Sequence, residues 1–304
     1  GKTSKRLAPS DTLYFAKVGC GGMGSSDFRS VISAGALPAA LCDIDSKRAS
    51  GVVNHEASAG LKLYSDYRKM FDEQADNFDA VIVSTPDHMH APISLAAMQL
   101  GKHVYCQKPL ARTIQECYAM RDAAKRYGVV SQMGNQGHSS GNLESTIECI
   151  KSGVIGTVQE VHIWTDRAGN WWPQSEKVFL PEERSQVPAH IDWNAFLGVA
   201  PVTPYSSRIH AFKWRGYLDF GCGAIGDMAC HNMDPAFMAL DLGQPTYVKV
   251  ECSEFNQVSF PVWSIVEWGF PANGDRPAVK VFWYDGGKKP PRELLPPTKL
   301  IKAP

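Results

Sequence analysis

The chain lacks an excess of charge of either sign, a long hydrophobic run and any paired-cysteine motif. Its 31 Lys and Arg residues balance its 31 Asp and Glu residues, which leaves no electrostatic footprint for nucleic acid or for an anionic membrane surface. No apolar run approaches the ~18 residues needed to cross a bilayer. The eight cysteines include no C-x-x-C pair, so their spacing indicates neither a disulfide framework nor a structural zinc site. We therefore expect no nucleic-acid partner, no membrane partner and no metal centre.

Two domains are expected, because 304 residues suffice for two domains of roughly 150 residues each. In the first half, five β-like runs alternate with helical patterns; the runs are Leu13–Val18, Ala39–Cys42, Ala80–Ser84, His103–Cys106 and Val129–Gln132. This alternation predicts an α/β unit over residues 1–133, a Rossmann-type doubly wound parallel sheet.

Beyond Gly134 the helices and strands are separated by longer irregular tracts. Helical patterns are present at Asn142–Ser152 and Gly226–Leu240. Strand-like runs are present at Val158–Thr165, Val248–Glu254, Val262–Trp268 and Val279–Tyr284. We expect residues 134–304 to form an α+β domain with an open, mainly antiparallel sheet and an irregular tail from Gly286.

A glycine-rich turn directly follows the first β-like run. It has the form G-x-G-x-x-G and consists of Gly19, Cys20, Gly21, Gly22, Met23 and Gly24. In dinucleotide-binding folds its glycines permit a tight turn, close approach to a pyrophosphate and close packing of helix on strand. A second apolar run ends in Asp43, nineteen residues after Gly24, where a carboxylate meets the ribose hydroxyls of NAD. The pattern predicts a dinucleotide-binding enzyme, with an ordinary βα turn as the alternative. NADP is disfavoured because its 2′-phosphate would face Asp43.

Polar segments also follow two later β-like runs. Ser84, Thr85 and Pro86 end one run, and His90 comes just after them. Ligands of doubly wound sheets bind at the carboxyl ends of the strands, so this loop is expected beside the nicotinamide. Capping of the following helix by Asp87 explains part of the segment equally well.

Lys108 follows another such run, between Gln107 and Pro109. An ammonium group placed there can hydrogen-bond a substrate hydroxyl and stabilise a developing alkoxide. An ordinary surface lysine is the alternative. The Lys108–Pro109 peptide is a candidate for the cis isomer.

Asp227 and His231 lie four residues apart in a helical pattern, which places them on one face, with Asp234 expected further along the same side. A histidine oriented by a carboxylate is a competent general base near neutral pH. A buried histidine satisfied by a capping aspartate is one alternative. A metal site built from all three residues is another, although it lacks a clear fourth ligand.

Tryptophans are concentrated in the second half of the chain. They include Trp164, Trp171, Trp172, Trp193 and Trp214. Indole rings can stack on the C–H face of a sugar, but they serve equally well as core residues.

In combination these motifs resemble the glucose–fructose oxidoreductase / inositol dehydrogenase (Gfo/Idh/MocA) family of NAD(P)-dependent oxidoreductases, over about residues 12–285. The motifs that carry the resemblance are Gly19–Gly24, Asp43, Thr85-Pro86 with His90, Gly101–Val104 leading to Lys108-Pro109, and Asp227-x-x-x-His231. The resemblance implies an N-terminal Rossmann domain and a C-terminal α/β domain whose open sheet often forms a subunit interface.

The resemblance also implies site residues. It makes Lys108, Asp227 and His231 catalytic. The cofactor-binding residues are expected to be Gly19, Gly21, Gly22, Met23, Gly24, Asp43, Ser84, Thr85, Pro86, His90, Gln107 and Lys108. The substrate-binding residues are expected to be Gln136, Trp171, Trp172, Arg215, Asp227 and His231.

Two departures from the family pattern change these expectations. Gln107 replaces the usual glutamate before Lys-Pro, which removes an anion beside Lys108 and should favour its neutral form. The chain also stops soon after Tyr284, so late strands are expected to be missing. At the other end it begins at Gly1 without methionine, as after trimming of a tag or removal of an export signal. A cytoplasmic and a periplasmic location therefore both stay open.

The function implied by the resemblance is NAD-dependent oxidation of a secondary hydroxyl of a sugar, glycoside or cyclitol. Hydride would leave the carbinol carbon for nicotinamide C4 while His231 accepts the hydroxyl proton and Lys108 stabilises the alkoxide. One alternative is glycosidic-bond cleavage through transient oxidation, elimination and re-reduction by tightly bound NAD. Another is a non-catalytic sugar or nucleotide sensor. Expected partners are a small carbohydrate and further copies of the chain, in a dimer or tetramer formed through the C-terminal sheet.

Overall fold

The computed structural model describes residues 11–182 and 185–295, which fall into two units. Of the described residues, the first unit comprises 11–134 together with 181–182 and 185–206, and the second comprises Asn135–Leu180 and 207–295. The sequence placed the boundary between residues 133 and 134 and did not predict the return of residues 181–206 to the first unit. Residues 296–304 of the tail lie outside the described part of the chain.

The described residues contain ten β-strands. They are β1 Tyr14–Val18, β2 Leu37–Cys42, β3 Leu63–Tyr64, β4 Ala80–Val83, β5 His103–Gln107, β6 Ser131–Gly134, β7 Glu160–Trp164, β8 Tyr247–Cys252, β9 Ser264–Phe270 and β10 Val279–Tyr284.

The same residues contain ten α-helical segments. They are α1 Met23–Ser33, α2 Ser50–Val53, α3 Tyr67–Gln74, α4 His90–Gln99, α5 Ile114–Tyr127, α6 Gly141–Lys151, α7 Arg167–Asn170, α8 Trp193–Leu197, α9 Gly223–Asn232 and α10 Asp234–Leu240. No helix in the described ranges has both the length and the apolar character that a membrane span needs.

The sheet of the first unit is six-stranded, in the order β3-β2-β1-β4-β5-β6, and all of its strand pairs are parallel. This is the strand order of a dinucleotide-binding doubly wound fold, whose ligand crevice lies outside the carboxyl ends of the strands where the order reverses. The predicted fold class of the N-terminal half is therefore confirmed. Strand β3 is only two residues long and leaves no periodic pattern to detect.

Helix α5 shows why the local prediction succeeded. It spans Ile114–Tyr127, one of the helical patterns expected between the β-like runs of the first half. The side chain of Thr113 accepts from the Glu116 N–H while the Glu116 carboxylate accepts from the Thr113 N–H, which satisfies donors at the helix start. Gly128 ends the helix with φ at 65°, a conformation that glycine adopts without strain.

Residues 181–206 pack onto the first unit through hydrogen bonds and an aromatic core. The Asp192 N–H donates to the Ile44 carbonyl over 2.8 Å. Trp193 stacks on Phe196 with ring centroids 4.5 Å apart, and its indole N–H donates to the Thr203 carbonyl over 2.7 Å. Trp193 is thus a core residue of the first unit rather than a sugar-stacking surface.

The second unit is built on a four-stranded sheet in the order β7-β10-β9-β8. Strand β9 is antiparallel to both of its neighbours, whereas β10 and β7 are parallel. Val279, Val281 and Trp283 alternate along β10 and are at most 1% exposed, because they pack with Met233 and Ala236 in one apolar cluster. The predicted α+β domain with a mainly antiparallel sheet is confirmed.

The helix predicted at Gly226–Leu240 is wrong in one respect, because it is two helices. Helix α9 ends at Asn232 and α10 begins at Asp234, with Pro235 in its first turn. Proline lacks an N–H and its ring clashes with the carbonyl four residues earlier, so an uninterrupted helix through His231 and Pro235 is excluded. Asp234 therefore does not continue the face that carries Asp227 and His231.

Candidate functional site

The glycine-rich turn joins β1 to α1 with almost no space between them. A Cβ atom at Gly24 would lie 2.0 Å from the Gly19 carbonyl oxygen, and one at Gly19 would lie 2.4 Å from the Ser84 carbonyl oxygen. Gly19 and Gly22 also have positive φ angles of 82° and 55°. Only glycine fits these positions, which agrees with the roles expected of the motif.

Two amide groups of this turn are available to an anion. The N–H groups of Gly22 and Met23, at the start of the eleven-residue helix α1, have no acceptor among the described residues. The first N–H groups of a helix point outward, and the helix dipole favours negative charge there. Two N–H groups without an acceptor at the start of a helix fit a dinucleotide pyrophosphate.

Asp43 lies at the end of β2 and is anchored to the turn. Its Oδ2 accepts from the Cys20 N–H at 2.7 Å and from the Gly21 N–H at 3.2 Å, and its Oδ1 accepts from the Asp45 N–H at 2.9 Å. Burial raises the pKa of Asp43, and these backbone donors partly offset that rise. These three hydrogen bonds use three of the roughly four acceptor positions of the carboxylate.

Arg48 is a cation at this turn that the sequence analysis missed. A Cβ atom at Gly21 would lie 3.2 Å from Arg48 Nε, and one at Gly22 would lie 3.5 Å from Arg48 Nη2. The guanidinium therefore lies over the turn, where it can approach a phosphate group. No motif spacing marks this residue, which is five positions beyond Asp43.

The loop after β4 carries the expected residues Ser84, Thr85 and Pro86. The Ser84 N–H donates to the Val18 carbonyl over 2.8 Å, which holds the loop beside the glycine-rich turn. Thr85 Oγ1 is buried and has no hydrogen-bond partner among the described residues. An unpaired buried hydroxyl is costly, and a cofactor amide or hydroxyl at this strand end would satisfy it.

His90 connects two of the predicted segments. Its Nε2 lies 2.9 Å from the Thr85 carbonyl oxygen and its Nδ1 lies 2.7 Å from the Pro109 carbonyl oxygen. The side chain is only 1% exposed, so the structure places it as a tie between the loop after β4 and the end of β5. The Lys108–Pro109 peptide is cis, as predicted.

A buried polar network lies beneath these loops, and sequence reasoning missed its two charged members. The Lys17 ammonium, 0% exposed, donates to Ser84 Oγ at 2.5 Å, and Ser84 Oγ donates to Asp27 Oδ2 at 2.6 Å. Burial lowers the pKa of Lys17 from 10.5 to about 8, although nearby Asp27 counteracts this shift. A lysine inside a hydrophobic strand and an aspartate inside an amphipathic helix were the signals available.

Gln107 completes this network. Its Nε2 donates to both carboxylate oxygens of Asp27 at 3.0 Å. A glutamate at position 107 would instead set two carboxylates against each other, which raises the free energy of the folded state. The Asp27 carboxylate thus joins Ser84, which follows β4, to Gln107, which ends β5.

Asp227 and His231 both lie on α9 of the second unit, as predicted. Asp227 is 8% exposed, and its Oδ1 accepts from Arg215 Nε at 3.3 Å. The Arg215 guanidinium also lies 4.1 Å from the ring centroid of Trp214. Arg215 therefore holds the Asp227 carboxylate by an ion pair and is itself held by an aromatic face.

The orientation of His231 is set by Gln136. His231 Nδ1 lies 3.0 Å from the main-chain carbonyl oxygen of Gln136. A carbonyl can only accept, so Nδ1 carries the proton in the neutral ring and Nε2 has the lone pair. Nε2 is then the atom of His231 that can accept a proton.

Asp234 belongs to a separate set of contacts. Its Oδ2 pairs with His138 Nδ1 at 2.8 Å and lies 3.4 Å from Asn135 Nδ2. Within residues 11–182 and 185–295 no group of three or more His, Cys, Asp or Glu side chains is arranged to hold a metal ion. The metal interpretation of Asp227, His231 and Asp234 therefore has no geometric support.

Trp171 and Trp172 are adjacent in sequence but differ in exposure. Trp171 is 48% exposed, and the Arg167 guanidinium lies 3.6 Å from its ring centroid. Trp172 is 2% exposed, and its indole N–H donates to Gln174 Oε1 at 2.9 Å. Both residues line one cavity of the second unit.

Family models cover most of the chain. The model described as "oxidoreductase family, NAD-binding Rossmann fold" matches residues 13–135. The model described as "oxidoreductase family, C-terminal alpha/beta domain" matches residues 141–274.

Similar sequences are found among characterised proteins. A levoglucosan dehydrogenase of Pseudarthrobacter phenanthrenivorans is 30% identical over 173 residues, which are 57% of this chain and 35% of that protein. An inositol 2-dehydrogenase of Saccharopolyspora erythraea is 32% identical over 161 residues, which are 52% of this chain and 46% of that protein. The chain therefore spans less than half the length of these curated relatives.

Solved structures share the fold at lower identity. The WlbA dehydrogenase of Bordetella pertussis, in complex with NADH and UDP-GlcNAcA, has a TM-score of 0.64 at 18% identity, covering 92% of this chain and 74% of that one. A levoglucosan dehydrogenase in complex with NADH and levoglucosan has a TM-score of 0.59 at 22% identity, covering 91% and 68%.

The close contact at Gly24 predicts a severe effect of one methyl group. In Gly24→Ala the Cβ meets the Gly19 carbonyl at 2.0 Å, so α1 must move away from β1. We expect loss of NADH binding and a lower free energy of unfolding, measured by NADH fluorescence and urea denaturation. Gly51→Ala is the matched control, because its Cβ would meet only Ser25 Oγ at 3.8 Å. A Gly24→Ala protein as stable as wild type would contradict this packing.

Because Lys17 is buried, we predict that wild type gains stability at alkaline pH relative to a variant without the amine. Between pH 8 and 10.5 the unfolded chain still holds the proton that folded Lys17 has released, so raising the pH favours the folded state. We compare the unfolding free energies of wild type and Lys17→Met at pH 7 and pH 10. From pH 7 to pH 10, the unfolding free energy of wild type should rise by about 2 to 3 kcal/mol relative to that of Lys17→Met. A pH-independent difference would show that Lys17 is not shifted.

Proposed function

Because the chain belongs to the oxidoreductase family with an NAD-binding Rossmann fold and a C-terminal alpha/beta domain, we propose that it oxidises a secondary hydroxyl of a carbohydrate. The first unit is the NAD-binding domain of this family. The observation that carries the proposal is the orientation of His231 by the Gln136 carbonyl, since it prepares Nε2 to take a hydroxyl proton. Bound NAD would supply the hydride acceptor.

The binding of the cofactor is assigned to residues of the first unit. The N–H groups of Gly22 and Met23 would hold the pyrophosphate, and the Asp43 carboxylate would bind the adenosine ribose. The Thr85 hydroxyl would meet the nicotinamide half, where it gains the partner that it otherwise lacks. Ser84 and Gln107 support these residues from below through Asp27, and NAD is preferred because a 2′-phosphate would face Asp43.

The chemical step is assigned to three side chains. His231 Nε2 accepts the substrate hydroxyl proton as a general base. The Asp227 carboxylate on the same helix face favours the imidazolium that this transfer creates. The Lys108 ammonium donates a hydrogen bond to the substrate oxygen and stabilises its developing negative charge.

The proposed substrate class is a sugar, a glycoside or a cyclitol. The curated relatives are named for levoglucosan and inositol, and the WlbA structure contains a nucleotide sugar acid, UDP-GlcNAcA. The shared feature of these compounds is a ring with several hydroxyl groups. Trp171 offers a half-exposed indole face of the kind that stacks on such a ring.

Removing either proposed catalytic group should slow the reaction strongly. We expect Lys108→Ala and His231→Ala each to lower kcat by at least ~100-fold, the low end for general acid–base catalysis. NADH formation and product identity are measured together with each variant. Lys102→Ala is a control, since Lys102 precedes the same strand that Lys108 follows. Near-normal turnover in both test variants would remove these assignments.

We further propose that the chain forms a dimer or tetramer through the sheet of the second unit. Val248 and Val250 are two residues apart on β8, so they share one face, and they are 53% and 64% exposed. Val250→Asp should shift the protein to a smaller species in analytical ultracentrifugation, because a carboxylate would be buried at that contact. Lys249→Asp, on the opposite face of the strand, is the control. An unchanged sedimentation coefficient for Val250→Asp would place any interface elsewhere.

A further inference from the structure

A cavity of about 440 Å³ lies within the second unit, and its size is suited to a ligand as small as a single sugar ring. The side chains of Trp171, Lys177, Arg208 and Lys213 line it together with apolar neighbours. We call it the Trp171 cavity. None of the functional assignments above accounts for its charge.

The charged residues that line the Trp171 cavity are all basic. Lys177, Arg208 and Lys213 contribute three cations, and no Asp or Glu is among its lining residues. Among the described residues no carboxylate pairs with the Lys177 or the Lys213 ammonium. The whole chain has equal numbers of acidic and basic residues, so this is a local excess of positive charge. A bound anion would relieve the mutual repulsion of these cations.

The aromatic wall of the cavity is suited to the apolar face of a ring. Trp171 is 48% exposed, and Arg167, whose guanidinium covers one face of the indole at 3.6 Å, does not line the cavity. The Arg167 stack restricts the indole, so less side-chain entropy is lost when a ligand packs on it. An indole beside cationic groups matches a molecule that has both a C–H face and an acidic group.

The part of the cavity wall formed by Trp172 is held rigidly by the fold. Trp172 is anchored through Gln174, whose Nε2 donates to the Pro261 carbonyl at 2.7 Å. A Cβ atom at Gly216 would lie 2.9 Å from Trp172 Cδ1 and 1.9 Å from the Pro173 carbonyl oxygen. The backbone therefore packs directly against this wall, and the cavity is formed before any ligand binds.

The Trp171 cavity is joined to the helix of the proposed catalytic residues. Trp172 packs on Ala224, which is part of α9. Lys213 lies two residues before Arg215, which holds the Asp227 carboxylate at 3.3 Å. A ligand bound at Lys213 is thus attached to the same local framework as Asp227.

We propose that the Trp171 cavity binds the acidic group of an anionic carbohydrate, a sugar acid or a sugar phosphate. The carboxylate or phosphate contacts Lys177, Arg208 and Lys213, and the ring face stacks on Trp171. This inference rests on the proposed function, which it narrows from carbohydrates in general to anionic ones. A charged group in a partly enclosed cavity also gives selectivity, because a neutral sugar leaves the Lys177 and Lys213 ammonium groups without an anionic partner.

The test is isothermal titration calorimetry on the full chain with matched pairs of probes: glucuronate against glucose, galacturonate against galactose, and glucose 6-phosphate against glucose. We expect at least one anionic probe to bind ten-fold or more tightly than its neutral partner, and to bind more weakly as salt is added. The uronates and the phosphate form separate arms, so the titration also identifies which acidic group is preferred. Equal affinity within every pair, or no binding of any probe, would overturn the inference.

Single variants locate the effect. Lys177→Gln and Lys213→Gln should each weaken binding of the preferred anionic probe by about three- to ten-fold, while Lys289→Gln, an exposed lysine of the same unit, leaves it unchanged. Trp171→Ala should weaken both members of a pair, whereas Trp164→Ala, an exposed indole on β7, should not. Anion binding that is insensitive to both cavity lysines would overturn the inference.

The inference and the proposed function fail in different ways. Lysine-dependent binding of an anionic probe without NADH formation from any substrate would uphold the Trp171 cavity and contradict the oxidation. NADH formation from a neutral sugar, at rates unaffected by Lys177→Gln and Lys213→Gln, would do the reverse.

Discussion

The close approach of α1 to the end of β1 is the constraint on which the first unit depends. The absence of a side chain at Gly24 lets the helix start against the Gly19 carbonyl, which leaves the Gly22 and Met23 amides pointing outward. Asp43 then fixes the turn from the side by accepting from two of its amides. The contact between Gly24 and the Gly19 carbonyl thus determines both the packing of the helix on the sheet and the shape of the phosphate cradle.

The second important feature is a buried network of charged and polar side chains beside the glycine-rich turn. Lys17, Ser84, Asp27 and Gln107 form one connected network, so each polar group has a partner and the desolvation penalty is partly recovered. The network links β1, α1, β4 and β5, the elements that also carry the proposed cofactor residues.

Much of the fold was predictable because its signals are local. The glycine motif, the capping box at Thr113 and Glu116, and the alternation along β10 each appear within a few residues of sequence. The two-residue strand β3 and the return of residues 181–206 to the first unit depend on long-range packing, which no local pattern reveals. The break before Pro235 also has a local signal, since proline disfavours a continuous helix.

The sequence predicted the residue types of the candidate site better than it predicted the contacts between them. Asp227 and His231 share a helix face as their spacing requires. One contact that orients His231 is with the main-chain carbonyl of Gln136, and a backbone group leaves no mark in a sequence. His90, expected beside the cofactor, has each ring nitrogen within 3 Å of a main-chain carbonyl oxygen. Lys17, Asp27 and Arg48 were missed because each is an ordinary residue until the fold brings the strand ends together.

The most direct test of the account is nicotinamide absorbance with the purified full chain, NAD and a panel of cyclitols, sugars, glycosides and sugar acids, with product analysis alongside. The account predicts that NADH accumulates in proportion to an oxidised product from at least one of these substrates. Substrate cleavage without net NADH would contradict it in favour of a cycle in which NAD is regenerated. Ligand binding without any conversion would contradict it in favour of a sensor.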